Sequence, residues 1–198
     1  MGANICVFSS SSCVIEKKYF DAADRLGAII AKRGDTLLYG AGMTGLMGAM
    51  ASTVKKCGGK VIGIIPENLN EAGIVYNCCD ELIVTQDIRT RKAMMDEKAD
   101  AFIAMPGGFG TLEELLEIIT LKQLKMHVKP IIIMNLFGYY NRLLEHFETV
   151  IRELFAKPEC NALFHVSDSP EKAFEYIDTY EPPAFRERWL THTEGKPR

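Results

Sequence analysis

The sequence is poor in the features that announce several common chemistries. Its 198 residues hold four scattered histidines and no HExxH pair, and the six cysteines (Cys6, Cys13, Cys57, Cys78, Cys79, Cys160) form no CxxC unit with histidines at zinc spacing. No metal is expected, and the thiols are expected to be reduced and mostly buried. No apolar run approaches the roughly 18 residues that a membrane span needs. The start, MGANICVF, lacks the basic-then-apolar order of a secretory signal, so a cytoplasmic protein is expected. Positive charge is not in excess either: 23 Lys and Arg face 26 Asp and Glu, for a net charge of −3 and a pI near 5.9. Neither nucleic acid nor an anionic membrane is therefore an expected partner, and a small anionic ligand would need a local cationic pocket.

What is present is a regular alternation. A hydrophobic share of 47% and a charged share of 25% are those of a soluble globular protein, and the length fits one domain, over 1–180. A tail rich in proline and charge follows over 181–198, with Trp189 as its expected anchor. Short β-rich runs at 4–8, 36–39, 60–65, 81–84, 101–104, 130–135 and 163–166 alternate with amphipathic stretches. The latter predict helices over about 17–33, 45–57, 88–98, 111–125, 139–155 and 170–177. That order predicts an α/β fold, a Rossmann-like doubly wound parallel sheet of about seven strands. Ligands of such sheets bind beyond the carboxyl ends of the strands, here at 9–12, 40–45, 66–71, 85–91 and 106–111.

Two of these ends are glycine turns. Gly40-Ala41-Gly42-Met43-Thr44-Gly45 fits GxGxxG, but it follows the second strand rather than the first, which argues against a dinucleotide enzyme. Gly107, Gly108 and Gly110 repeat the arrangement at another strand end. One such turn is explained by tight packing. Two at one sheet edge can offer backbone N–H groups to a single phosphate-bearing ligand of mononucleotide size.

The second turn leads into a helix with three acids. At 100° per residue Leu112, Leu115, Leu116 and Ile119 share one face, expected to pack on the sheet, while Glu113 and Glu117 lie on a flank. Glu114 falls on another side with Ile118 and Leu121, which predicts either a second helix against it or a subunit interface. Thr111-x-x-Glu114 is also a capping box, in which the glutamate would reach back to the cap residue's N–H. Upstream, Arg89, Arg91 and Lys92 occupy the opening turns of a helix that begins near Asp87. Cations there oppose the helix dipole, as a solvated face does at small cost or as an anion site does with purpose. Met43, Met94 and Met105 are candidates to border a base slot.

PGGFGTLEE (106–114), with RK (91–92) upstream and ICVFSSS, YGAGMTGLMG and GGKVIGIIP before it, closely resembles the LONELY GUY family. Those phosphoribohydrolases release cytokinin bases from riboside 5'-monophosphates, and many are misnamed lysine decarboxylases. The similarity runs from about residue 4 to residue 150. It implies a Rossmann-like parallel sheet, no metal or organic cofactor, a homodimer or higher homo-oligomer, and a small-molecule purine nucleotide as substrate. Carried over by position, it implies a catalytic pair, Arg91 and Glu114, with Lys92 beside it. The turn Gly108, Phe109, Gly110 and Thr111 would hold the phosphate, and Gly107, Glu113, Thr120 and Glu71 would be further contacts. Ser9, Gly40, Gly42 and Gly45 at the earlier strand ends complete the implied site.

Two departures stand out: Ser9-Ser10-Ser11 where a glycine is usual after the strand, and Ala41 inside a common triple glycine. Either is expected to tune which base or phosphate fits. A carboxylate near C1′ would stabilise the positive charge that builds on ribose as the N-glycosidic bond breaks, and would orient or deprotonate the attacking water. Lysine decarboxylation has no support, since nothing marks a Schiff-base lysine with a pyridoxal phosphate partner. A rival of another class is a non-catalytic nucleotide or molybdenum-cofactor carrier of related fold, which has no need of an Arg91 and Glu114 pair.

Overall fold

The computed structural model describes residues 2–183. All but the first three residues of the expected tail, Trp189 included, lie outside the described residues. Seven strands, β1 (Asn4–Phe8), β2 (Thr36–Tyr39), β3 (Lys60–Pro66), β4 (Glu81–Thr85), β5 (Ala101–Ala104), β6 (Ile131–Met134) and β7 (His165–Ser167), form one sheet in the order β4-β3-β2-β1-β5-β6-β7. Every pairing is parallel. The chain builds outward from β1 to β4, then returns to the other side of β1, so consecutive connections diverge between β1 and β5. That reversal opens a crevice at the carboxyl ends of these two strands.

Six helices cover the sheet: α1 (Lys17–Arg33), α2 (Gly45–Lys56), α3 (Ile88–Lys98), α4 (Phe109–Gln123), α5 (Asn141–Arg152) and α6 (Pro170–Asp178). The strands are apolar on both faces because both are covered. Ile5, Val7, Leu37, Tyr39 and Ile103 point to one side, where α1, α2 and α6 pack. Cys6, Phe8, Leu38, Phe102 and Ile131 alternate to the other, toward α3, α4 and α5.

Several elements depart from the sequence reading. β7 begins at His165 rather than 163, because a 3-10 turn, Pro158–Leu163, runs through the first predicted residue. α4 begins two residues early, with Gly108 as its cap in extended conformation and no side-chain cap bond. Thr111 is therefore the third residue of the helix, buried beneath Gly107, and the capping box does not form. The buried residues of α4 are Thr111, Leu115, Ile118 and Lys122; of the expected face, Leu115 is buried and Leu112 and Ile119 pack partly buried against the core, while Leu116 is exposed and Ile118 takes its place. The cysteines are all free, but only Cys6 and Cys160 are buried; Cys13, Cys57 and Cys78 lie exposed in loops and at the end of α2. Among the described residues no helix is long and apolar enough to cross a membrane, and no group of three His, Cys, Asp or Glu could hold a metal ion.

Candidate active site

A cavity of about 500 Å³ opens at the reversal between β1 and β5, in the size range of small-ligand sites. The chain ends of β1, β2, β3 and β5 and the helices α2, α3 and α4 form its walls. α3 starts with Asp87 as cap, its carboxylate accepting from Thr90 N–H at 2.8 Å, which fixes the first turn and places Arg91 one turn in. The Arg91 guanidinium lies over the backbone of Gly40, where a Cβ would come within 3.1 Å of Nη2, so this glycine gives the arginine its seat. Arg91 Nε donates to Met95 Sδ at 3.5 Å, and Nη2 donates to Glu114 Oε1. The two side chains are only 11% and 13% exposed, an ion pair held in the cavity wall.

Burial pushes the Glu114 carboxyl up to about 7; Arg91 pulls it down and the neighbouring Glu113 pushes it further up. A carboxyl poised there exchanges its proton near neutral pH. Beside it the α4 N-terminus is open. The N–H groups of Phe109, Gly110 and Thr111 have no intrahelical acceptor, and no side chain caps them. A Cβ on Gly108 or Gly110 would meet nothing within 4 Å, so neither glycine is demanded by the surrounding chain. Ser9 Oγ, buried and without a hydrogen-bond partner, lines the same cavity. An unpaired buried hydroxyl costs free energy unless a ligand or water satisfies it. Phe109 stands 92% exposed at the mouth.

The turn after β2 behaves differently. The carbonyl of Ser10 already accepts from the N–H groups of Leu46 at 2.9 Å and Met47 at 3.4 Å, at the start of α2. The opening donors of α2 are thus already taken up within the chain, whereas those of α4 carry no side-chain cap.

Of the residues singled out from sequence, Ser9, Ser10, Ser11, Gly40, Gly42, Arg91, Gly108, Phe109, Gly110, Thr111 and Glu114 line the cavity. The others do not. Gly45 packs against the Ser10–Ser11 backbone, and Gly107 against Thr111 behind the turn. Lys92 is committed to Glu113 and, at 3.0 Å, to Glu117, so neither Lys92 nor Glu113 faces the cavity. Glu71 is exposed, and its carbonyl takes the N–H groups of Ile74 and Val75. Thr120 donates to Leu116 O at 2.8 Å and lies in a separate apolar groove between α4 and α5. Ala41 is fully buried and does not line the cavity. Met43, Met94 and Met105 do not either; Met47, in the first turn of α2, takes that place.

Sequence reasoning missed the apolar end of the cavity, formed by Met47, Ile65, Leu69 and Ile74. Leu69 and Ile74 come from the long loop after β3, which folds back through Met43 N–H to Ile74 O and Tyr76 N–H to Ala41 O, both 2.8 Å. Its apolar residues in an otherwise polar stretch were the available signal.

Comparison with known proteins agrees with this fold. A family model described as "Possible lysine decarboxylase" matches residues 47–177. A probable cytokinin riboside 5'-monophosphate phosphoribohydrolase of Oryza sativa subsp. japonica is 41% identical over 178 residues, 90% of this chain and 71% of the rice protein. A cytokinin riboside 5'-monophosphate phosphoribohydrolase of Arabidopsis thaliana is 40% identical over 189 residues, 93% and 89% of the two chains. Among solved structures, the molybdenum cofactor binding protein of Rippkaea orientalis is similar with a TM-score of 0.69 and 26% identity, over 90% of this chain and 97% of that one. With a family model spanning most of the chain and relatives near 40% identity over nine-tenths of it, the chain belongs to the LONELY GUY family of phosphoribohydrolases.

Proposed function

We propose that the protein hydrolyses the N-glycosidic bond of a purine riboside 5'-monophosphate, of cytokinin type or AMP itself, to free base and ribose 5-phosphate. The observation that carries this reading is the buried Arg91 and Glu114 pair set beside an uncapped helix N-terminus in one cavity. The 5'-phosphate takes the N–H groups of the α4 turn, where the helix dipole favours an anion. The base lies toward Met47, Ile65, Leu69 and Ile74, and the ribose bridges the two ends across Ser9. Glu114 then meets the anomeric carbon as positive charge develops there, and takes a proton from the attacking water. Arg91 holds the carboxylate in place and fixes the phosphate or ribose, so that positioning contributes alongside acid–base chemistry. Acid and anion do not compete, because the anion sits at the helix end and Glu114 one and a half turns along it. Among the described residues no lysine lines the cavity, which leaves a Schiff-base reaction without its amine.

The same reading includes a homo-oligomer. α5 is amphipathic yet contributes no buried residue of its own, and its apolar side borders the groove that holds Thr120, Leu116 and Phe147. A second copy covering this groove is the economical way to bury it.

The test is incubation of purified protein with AMP, isopentenyladenosine monophosphate and the two ribosides, following free base by chromatography and oligomeric state by light scattering. Base release from monophosphates but not ribosides is expected. Cleavage of ribosides alone would overturn the phosphate anchor. The structural likeness to the Rippkaea protein favours one rival, a carrier; tight molybdopterin binding with no base release from any nucleotide would establish it instead.

A further inference from the structure

The segment ahead of α5 reaches across to the glycine turn of the cavity. Tyr139 Oη donates to Gly107 O at 2.6 Å, and Tyr140 Oη donates to Met105 O at 2.7 Å. Two consecutive tyrosines thus hold two carbonyls of the β5–α4 turn from outside. The segment is itself fastened. Asn135 Oδ1 accepts from Tyr140 N–H at 2.7 Å, and Asn135 Nδ2 donates to Asn141 Oδ1 at 2.8 Å. Tyr19 of α1 meets the rings of Phe137 and Tyr139 edge-on, at 5.5 and 6.0 Å. Phe137 sits at φ 55°, a conformation that a bulky residue adopts only where its surroundings impose it.

The two carbonyls are not equivalent. Met105 O belongs to the peptide that leads into Pro106, which has no N–H. Gly107 O belongs to the peptide shared with Gly108, a residue that lines the cavity. In a trans peptide the C=O and N–H point in opposite directions, so a carbonyl held outward by Tyr139 turns the Gly108 N–H toward the cavity. With no Cβ on either side, this peptide is the easiest in the turn to rotate. Rotated, it would present a carbonyl oxygen to the anion in place of a donor.

We propose that Tyr139 is a positioning residue for the substrate's 5'-phosphate: its hydroxyl locks the Gly107–Gly108 peptide with the N–H facing the cavity. The proposal rests on the hydrolase reading above. Tyr139→Phe removes one oxygen from a partly exposed ring and leaves the edge contacts in place. Its melting temperature should stay within a few degrees of wild type. The Kd for ribose 5-phosphate, by calorimetry, and the KM for the nucleotide should rise about tenfold, with kcat within twofold and adenosine binding unchanged. Tyr140→Phe is the contrasting variant: it frees a carbonyl whose peptide carries no N–H, so it should lower stability without a phosphate-specific loss.

Unchanged Kd and KM in Tyr139→Phe would overturn the inference. So would a parallel loss of adenosine and ribose 5-phosphate binding, or failure of Tyr139→Phe to fold while Tyr140→Phe does, since either marks a structural role. If wild type neither binds ribose 5-phosphate nor releases base, the hydrolase reading falls and takes the inference with it.

Discussion

The turn after β2 and the turn after β5 look alike as text, glycines between a strand and a helix, yet their glycines answer to different demands. In the first, Gly45 takes φ 60° and an added Cβ would lie 2.4 Å from the carbonyl carbon of Ser11; at Gly48 it would lie 2.0 Å from Met43 O. Those glycines let the β1 loop and the α2 N-terminus close on each other, and the helix spends its first donors on Ser10 O. In the second, only Gly107 is tight, against Thr111, while Gly108 and Gly110 face open space. A glycine that packing explains marks a structural turn. One that nothing in the chain explains marks room kept for something else.

The largest expected effect tests whether the second turn is the reacting one. Glu114→Gln should cut base release by about 10³-fold, within the range for loss of a general base, while ribose 5-phosphate still binds. The same carboxyl sets the pH profile. It is protonated below about 7 and ionised above, so release should climb with pH through that value, falling about tenfold per unit on the acid side. A variant retaining near-normal release would remove Glu114 from the chemistry and with it the contrast between the turns.

Gly45→Ala comes next and should act on folding. It combines a left-handed φ with backbone overlap and should cost about 2 kcal/mol or more, a fall of roughly 5 °C or more in melting temperature. Gly110→Ala should do the reverse. Alanine in the first turn of α4 meets no atom and is the better helix former, so stability should hold or rise slightly, while phosphate binding weakens about tenfold because the methyl enters the ligand's space. If Gly110→Ala binds ribose 5-phosphate as wild type does, the open space is not the anion site.

Most of the fold was legible because strand and helix periods are local properties. Asn4–Phe8, Thr36–Tyr39 and Ala101–Ala104 match the runs read from sequence, since each is a short apolar stretch bounded by breakers. The Arg91 and Glu114 pair was legible only through the resemblance; local sequence offered a capping box instead. What decides against the cap is Thr111, which α4 buries under Gly107 rather than leaving at its end, and that is a tertiary contact. The ion pairs of Lys92 were not legible for a related reason. Its charge was readable, but its partners, Glu113 and Glu117, come from a helix more than 20 residues away in sequence. The occupied state of the α2 N-terminus was not readable at all, because the occupant is a carbonyl of Ser10, and a backbone carbonyl leaves no mark in the sequence.

The smallest effect expected is at Ala41, and it sharpens the contrast most narrowly. This residue sits at φ 58°, fully buried beside Ile65 and Val75, with its carbonyl bound to Tyr76 N–H. A left-handed alanine costs about 1–2 kcal/mol relative to glycine. Ala41→Gly would relieve that, but it removes a buried methyl worth about 0.8 kcal/mol and frees the unfolded chain by about 0.5–1 kcal/mol. The terms nearly cancel, so the melting temperature should move by less than about 3 °C. KM should not move, because the methyl points into the fold between β2 and β3 and away from the cavity. A clear change in KM with unchanged stability would mean that the first turn does meet the ligand, and the division of labour between the two turns would fail at the residue where their sequences differ most from a simple run of glycine.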